Sequence, residues 1–405
     1  MSTNTIAIVL AGGNGSRLSP LTSQRAKPAV PFGGKYRIID FTLTNCLHSG
    51  LRRILVMTQY KSHSLHKHLR DGWSIFNPEL GEFITVVPPQ MRTGDSWYVG
   101  TADAIYQNRF LLKRSDADTV VVLSADHIYR MDYAPMIQAH HEANADVSVA
   151  CTTIAASDAS SFGVATVDES MQITDFTEKP DTPATTPGDD LMSLISMGIY
   201  VFSKSLLLDA LKKDHLDTES NHDFGKDILP KLISTHKVVA YPFGSSKGRV
   251  SQDRYWRDVG TIDSFYEANM GLLETTPALD IYQKDWPIRS YAKQNPPART
   301  VPGESGNEGI FINSIIANGC VISGGNVQHS ILFPEVSVDD ESYVESSLLF
   351  EGVTIGKQCR LLNCIVDKDV AIPDHTEIGY NLELDRSRFT VSDQGVVVVP
   401  KHYEF

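Results

Sequence analysis

The last quarter of the chain carries a period that few folds can satisfy. Aliphatic residues stand at Val321, Val327, Leu332, Val338, Val344, Leu349, Ile355, Leu361, Val366, Ile372 and Ile378, so the steps run 6, 5, 6, 6, 5, 6, 6, 5, 6, 6 and every third position repeats after 17 residues. A helix repeats near 3.6 residues and a half-buried strand at 2, and neither generates this spacing. Steps of about six suit a coil with three flat faces, each sending one side chain inward, stacked so that successive coils bury one continuous core. The expectation is a parallel β-helix; an evenly spaced sandwich would have to reproduce the period by coincidence. Stacked coils leave exposed edges, which favours self-association.

Upstream the pattern changes. From Ile6 to about residue 275, short apolar runs alternate with segments of helical spacing, as in an α/β domain with a largely parallel sheet. "IAIVL", "RILVMTQ", "TVVVLSA" and "ADVSVACTTI" read as strands, and "SHSLHKHLRDGW", "ADAIYQNRFLLKR" and "YAPMIQAHHEANA" as helices between them. "GVATVDESMQITDFTEKP" alternates around a turn and reads as an inserted hairpin. Pro277, Pro287, Pro296, Pro297, Pro302, Gly303 and Gly306 then crowd one stretch, suiting a linker that wraps the first domain. The expected division is a catalytic domain at 1–275, a linker at 276–306 and the β-helix at 307–405, consistent with a 405-residue chain too long for one core.

Charge and cysteine usage exclude several functions. With 36 Lys+Arg against 49 Asp+Glu the net charge is -13, which opposes binding to nucleic acid or an anionic membrane. No apolar run approaches the roughly 20 residues that span a bilayer, and "TIAIVL" breaks at once into "AGGNGSR", unlike a secretion signal. Cys46, Cys151, Cys320, Cys359 and Cys364 are odd in number and scattered, as expected of reduced core thiols in a cytoplasmic protein.

Residues 10 to 28, "LAGGNGSRLSPLTSQRAKP", follow the first strand. Gly12, Gly13 and Gly15 allow backbone N–H groups to approach an anion, and Arg17 and Lys27 add fixed positive charge, so a polyphosphate is the natural guest. No Gly-Lys-Ser/Thr follows, as a Walker loop requires, and Leu18 stands where a dinucleotide fingerprint needs its third glycine. Asp126 ends the run "VVVLSA" at a strand's C-terminal edge, where α/β folds keep ligands, and Asp258 sits in "YWRDVG". A lone aspartate after a strand reads equally as a helix cap. Two carboxylates brought together would suit Mg2+, a hard ion that keeps several waters.

The complete glycine string resembles the N-terminal motif of the sugar-1-phosphate nucleotidyltransferases. "RAKPAVPFGGKYRIIDFTLTNCLHSGLRRILVMTQY" narrows the likeness to the bacterial glucose-1-phosphate adenylyltransferase family. It continues through "WYVGTADAIYQN", "ADHIYRMDY", "FTEKP", "SMGIYVF", "HDFGKDILP" and "YWRDVGTIDSFYEANM" into the hexapeptide region, covering nearly the whole chain. The resemblance implies a Rossmann-like nucleotidyltransferase domain with a mostly parallel mixed sheet, then a left-handed parallel β-helix of hexapeptide repeats. It implies Mg2+-dependent conversion of ATP and glucose 1-phosphate to ADP-glucose and diphosphate, the committed step of bacterial glycogen synthesis, in a homotetramer.

Residue roles follow from the same likeness. Arg17 would hold the leaving phosphates, Lys27 would reach toward the α-phosphate, and Asp126 and Asp258 would hold the metal, with Arg17, Lys27 and Asp126 the catalytic set. ATP would lie along Leu10, Ala11, Gly12, Gly13 and Gly15, with Gln90 reading adenine and Tyr98, Gly100 and Thr101 close by; Trp97 and Tyr98 read equally well as core aromatics. Glucose 1-phosphate would meet Gly163, Glu178, Lys179, Ser196, Gly198, Asp223, Tyr255 and Trp256. A UTP- or dTTP-dependent pyrophosphorylase shares the glycine loop and metal aspartates, and a silent regulatory subunit would typically have lost them.

Relatives are commonly controlled by sugar-phosphate activators and adenylate inhibitors bound between the domains, which points to Arg25, Arg37, Arg386 and Arg388 as an anion site and Gln59 and Trp97 as coupling residues. Gln24 stands where fructose 1,6-bisphosphate-activated relatives carry a Lys, Pro31 replaces a His, and Asn14 replaces a common Arg, so a weakened or altered effector response is expected. Ala125, where Gly is common, should be tolerated. His63, His66 and His68, like His140 and His141, lack zinc-site spacing and read as solvated faces, as does the charge run "LKKDHLDTESNHD".

Overall fold

A computed structural model describes residues 4–90, 97–186, 188–244, 250 and 254–405. The N-terminal lobe is built on a nine-stranded mixed sheet: β1 (Thr5–Ala11), β2 (Arg53–Thr58), β3 (Phe83–Val87), β4 (Thr119–Ser124), β5 (Val147–Ala155), β6 (Gly163–Val167), β7 (Ile173–Glu178), β8 (Met192–Ser203) and β9 (Val238–Pro242). Strand order along the main path is β7-β6-β8-β4-β1-β2-β3, with β5 branching from β8 and β9 pairing with β5. β1 pairs in parallel with β2 and β4, so both its edges are filled, and apolar clusters cover both its faces. That is why "IAIVL" is apolar at both parities. Ile6 and Ile8 join Val120 and Val122 in one core, while Ala7 and Val9 join Val121 and Leu123 in another. β8 runs antiparallel to β4 and β5, and its register with β5 slips between Ser196 and Tyr200, around the left-handed Gly198 (φ 67°).

β6 and β7 form the expected hairpin. The single helix expected from Ala102 onward is instead two, Thr101–Gln107 and Arg109–Arg114, hinged at Asn108, whose amide donates to the Ala104 carbonyl and the Tyr98 hydroxyl. The expected solvated histidine faces are corrected at two positions. His68 is buried, 2.6 Å from Asp40, and His140 is buried against the Ser148 hydroxyl at 2.9 Å. Neither partner could be read from helical spacing. The acidic run is likewise tied down: Asp214 is buried and bonds both Ser220 and His222.

From Arg299 the chain coils into three parallel sheets of short strands, a parallel β-helix. Inward ladders run Ile322–Val338–Ile355–Ile372, Val327–Val344–Leu361–Ile378 and Leu332–Leu349–Val366–Val399. The 17-residue period therefore holds, with one correction: where the period begins, Ile322, not Val321, is the buried residue. Phe311 stacks over Val327 at the open end of one ladder and is half exposed, as are its neighbours Ile310 and Ile312.

The two lobes share a hydrophobic cluster in which Leu18, Phe32, Phe41 and Phe265 meet Phe333, Phe350 and Val398. The segment between them is a packed strap. Trp286 is fully buried with its indole N–H on Asn45, the Arg289 guanidinium donates to the Gly72 carbonyl, and the Ser290 hydroxyl donates to Asp40. No described helix is long and apolar enough to cross a membrane, and all five cysteines are buried and free.

Candidate active site

The glycine loop leaves β1 at its C-terminal end. Gly15 adopts φ 63°, and a Cβ there would lie 3.1 Å from the Lys27 Cβ and 3.2 Å from Thr22, so glycine lets the loop close onto Lys27. One turn of 3-10 helix, Ser16–Leu18, then buries Leu18 and leaves the Arg17 side chain 64% exposed in the cleft. Lys27 opens another short turn, Lys27–Ala29, and is itself buried.

The two aspartates meet through a ribbon. His127–Tyr129 pairs antiparallel with Trp256–Asp258, with Asp258 opposite His127, so Asp126 and Asp258 arrive side by side although far apart in the chain. Lys27 Nζ lies between them, 3.0 Å from Asp126 Oδ2 and 2.8 Å from Asp258 Oδ1, and Arg17 lies 3.8 Å from Asp258. Gly260 leaves room for this approach, since a Cβ there would lie 2.8 Å from Asp258 Oδ2 and 3.1 Å from Arg17. Burial opposes ionisation of both Lys27 and Asp126, but their mutual attraction prevails, raising the ammonium pKa and holding the carboxyl well below its usual range. His127 was not singled out by sequence; its Nε2 is 3.5 Å from Asp126, and its Nδ1 is buried without a partner among the described residues. Only pairing across the ribbon reveals it.

A cavity of about 550 Å³ runs from these charges along the loop, lined by Leu10, Ala11, Gly12, Gly13 and Gly15, then by Gly100 and Thr101. Tyr98 contributes to the wall, but its ring is buried. Its backbone N–H and carbonyl pair reciprocally with the Gln59 amide at 2.9 and 3.2 Å. Trp97 is exposed and stacks on Tyr60 with ring centres 5.5 Å apart. Gln90 lies outside this cavity, exposed, with its amide donating to the Pro88 carbonyl.

Next to the cavity stands a second group of polar residues. Glu178 is mostly buried at the end of β7, and burial, with Asp223 nearby, raises its carboxyl pKa. Gly163 and Gly225 flank it closely; a Cβ at Gly163 would lie 2.7 Å from Glu178 Oε2. Lys179 is exposed, 3.6 Å from Glu178, on a left-handed backbone (φ 50°). Asp223 accepts from the Thr101 hydroxyl and from the Gly225 and Lys226 N–H groups, so it ties the nucleotide-side loop to this group. The Ser196 hydroxyl accepts from the Gly198 N–H. Trp256 packs on His127 and Phe162 with its indole N–H unpartnered among the described residues. Tyr255 is not brought to this group: just ahead of the strand, its ring packs against the cluster between the lobes.

The expected anion site between the lobes is only partly assembled. Arg25 is buried and neutralised by Asp367 at 2.8 and 3.0 Å. Arg37 lies in a cavity of about 450 Å³ with Lys35, Lys293, Lys368 and Glu351, its pKa lowered chiefly by burial. Arg388 is held by Asp385 at 2.8 Å, and Arg386 is exposed.

The residues present fit a divalent cation. Asp126, His127 and Asp258 offer ligand atoms within 4.8 Å of one another, and a positive group already bridges the carboxylates. Comparison with known proteins identifies the family. Residues 6–275 match the nucleotidyl transferase family, and residues 296–399 match the GlmU-like C-terminal hexapeptide family. Glucose-1-phosphate adenylyltransferase 2 of Vibrio cholerae is 62% identical over 402 residues, covering 99% of both chains. The Vibrio vulnificus protein of that name is 63% identical over 400 residues, covering 99% of both. The glucose-1-phosphate adenylyltransferase of Methylobacillus flagellatus is 47% identical over 400 residues, covering 98% of this chain and 94% of the relative. A nucleotidyl transferase lobe followed by a hexapeptide coil, matched end to end by these relatives, places the chain in the glucose-1-phosphate adenylyltransferase family.

Proposed function

We propose that the chain makes ADP-glucose from ATP and glucose 1-phosphate with the following division of labour. A phosphate oxygen of the sugar attacks the α-phosphorus of ATP, and pyrophosphate leaves. The nucleophile is already ionised, so no general base is required, and the protein's task is alignment and charge neutralisation. The triphosphate lies along Gly12, Gly13 and Gly15, with Arg17 on the departing phosphates and Lys27 turned toward the α-phosphate. Lys179 meets the sugar phosphate as a point charge, while Glu178, Ser196 and Trp256 face the sugar hydroxyls. Thr101 and Asp223 hold the two substrate loops against each other. Asp126 and Asp258 would hold Mg2+, which when bound neutralises phosphate charge at the reacting centre.

The observation that carries this reading is the meeting of Asp126 and Asp258 with Lys27 and Arg17 at the mouth of the glycine loop. With the Arg25 charge already countered by Asp367, activation by fructose 1,6-bisphosphate is weak, and the working particle is a homotetramer joined through the coil. One assay tests the centre: pyrophosphate release from a panel of ATP, UTP and dTTP with glucose 1-phosphate, for the parent and Asp126→Asn. ATP alone should be turned over well, and Asp126→Asn should be folded yet inactive with Mg2+. Preference for UTP, or near-normal turnover by the variant, would sink the reading.

A further inference from the structure

Lys27 occupies an unusual place for a phosphate-binding side chain. It is 6% exposed, its Nζ bonds one oxygen of Asp126 and one of Asp258, and its backbone is fixed by the turn Lys27–Ala29 closed against Gly15. The ligand atoms of Asp126, His127 and Asp258 all lie within 4.8 Å of one another. A hard divalent cation sits at about 2.0–2.6 Å from carboxylate oxygens, so it needs the very space in which the ammonium now sits. Two positive centres there would repel at short range in a site partly shielded from water.

We propose that Lys27 is the resting counter-ion of the two-carboxylate site, that a divalent cation must displace it to bind, and that the freed ammonium is thereby delivered to the substrate phosphate. The proposal rests on the reading of Asp126 and Asp258 as the cation-holding pair. In the empty enzyme the ammonium keeps the two carboxylates together and offsets one of their two negative charges. Cation entry is unfavourable while Lys27 has no other partner. A bound triphosphate supplies that partner, so nucleotide and cation strengthen each other's binding through one side chain, and by linkage the effect is reciprocal. Arg17 contributes less to this exchange, being exposed and 3.8 Å from Asp258.

The test is Mn2+ binding to the nucleotide-free full-length protein, followed by the loss of the free-ion electron paramagnetic resonance signal. K27M should bind Mn2+ at least about tenfold more tightly than the parent, although it cannot turn over ATP; K27Q serves as a second neutral variant. Binding equal to or weaker than the parent's in a folded variant overturns the proposal. The parent gives an independent measure, because displacement should raise acetylation of Lys27 by acetic anhydride as Mn2+ is added, and unchanged labelling at saturating Mn2+ also overturns it. If D126N abolishes parent binding but K27M gives no gain, the exchange falls and the cation site stands. If K27M/D126N binds as tightly as K27M, the cation is held elsewhere and the reading of the site itself falls.

Discussion

Lys179 shows how much a single residue can be asked to do. Its side chain is largely in solvent and its only ion-pair partner among the described residues is the adjacent Glu178, so it contributes little to folding. Lys179→Gln should therefore leave stability unchanged, raise KM for glucose 1-phosphate by tenfold or more, and alter kcat little; steady-state kinetics with each substrate varied checks this. Equal losses in kcat and kcat/KM would mean that Lys179 acts on the transition state instead. At this scale the sequence was informative about residue types and silent about neighbours. Asp126 was legible because it follows a buried apolar run, whereas its contact with Asp258 depends on a ribbon that no local pattern encodes. Tyr255 and Trp256 are adjacent in the chain, yet they pack in different clusters, and only Trp256 belongs to the paired strand that faces the site. His68 was legible as a residue without zinc-type spacing but not as a buried one, since Asp40 comes from another helix.

Among elements, the contact between the loop at 97–103 and the segment at 221–226 governs how the two substrate halves align. The Ala102 N–H donates to the His222 carbonyl, and Thr101 bonds both Asp223 and the Phe224 N–H. Gly100 makes this approach feasible, because a Cβ there would overlap the His222 carbonyl oxygen and press on that of Asn221. Gly100→Ala must push the loops apart. A displacement near 1 Å can cost about 100-fold in rate, so kcat/KM for both substrates should fall by tenfold or more while far-UV circular dichroism stays unchanged; normal kinetics would show that the two loops work independently. Element identity was largely readable, since the strands are apolar at both parities and the coil follows its period. Register was less so. Val321 and Ile322 are both aliphatic, and the choice between them is made by pairing with Arg299–Val301, in a stretch whose proline density reads as linker.

The whole molecule is held together across its lobes by charge as well as by apolar contact. Arg25 and Asp367 are 6% and 1% exposed at their side chains and pair through two bonds, so removing one charge strands the other away from water. Breaking such a pair costs about 3–5 kcal/mol. Asp367→Asn should accordingly lower the urea unfolding free energy by an amount of that order, and a loss below about 1 kcal/mol would show that water reaches Arg25. The coil itself sets a rule for how such a chain can change length. In the middle of the stack the three inward ladders stay in line only if each circuit closes after a fixed stretch, so residues enter or leave there without harm as complete circuits. A shorter deletion in the middle of the stack would present an entire row of aliphatic side chains to water. Slack lies toward the two ends of the stack, where Ile322 stands one place late and where the helix Leu382–Arg388 intervenes before Val399 stacks on Val366.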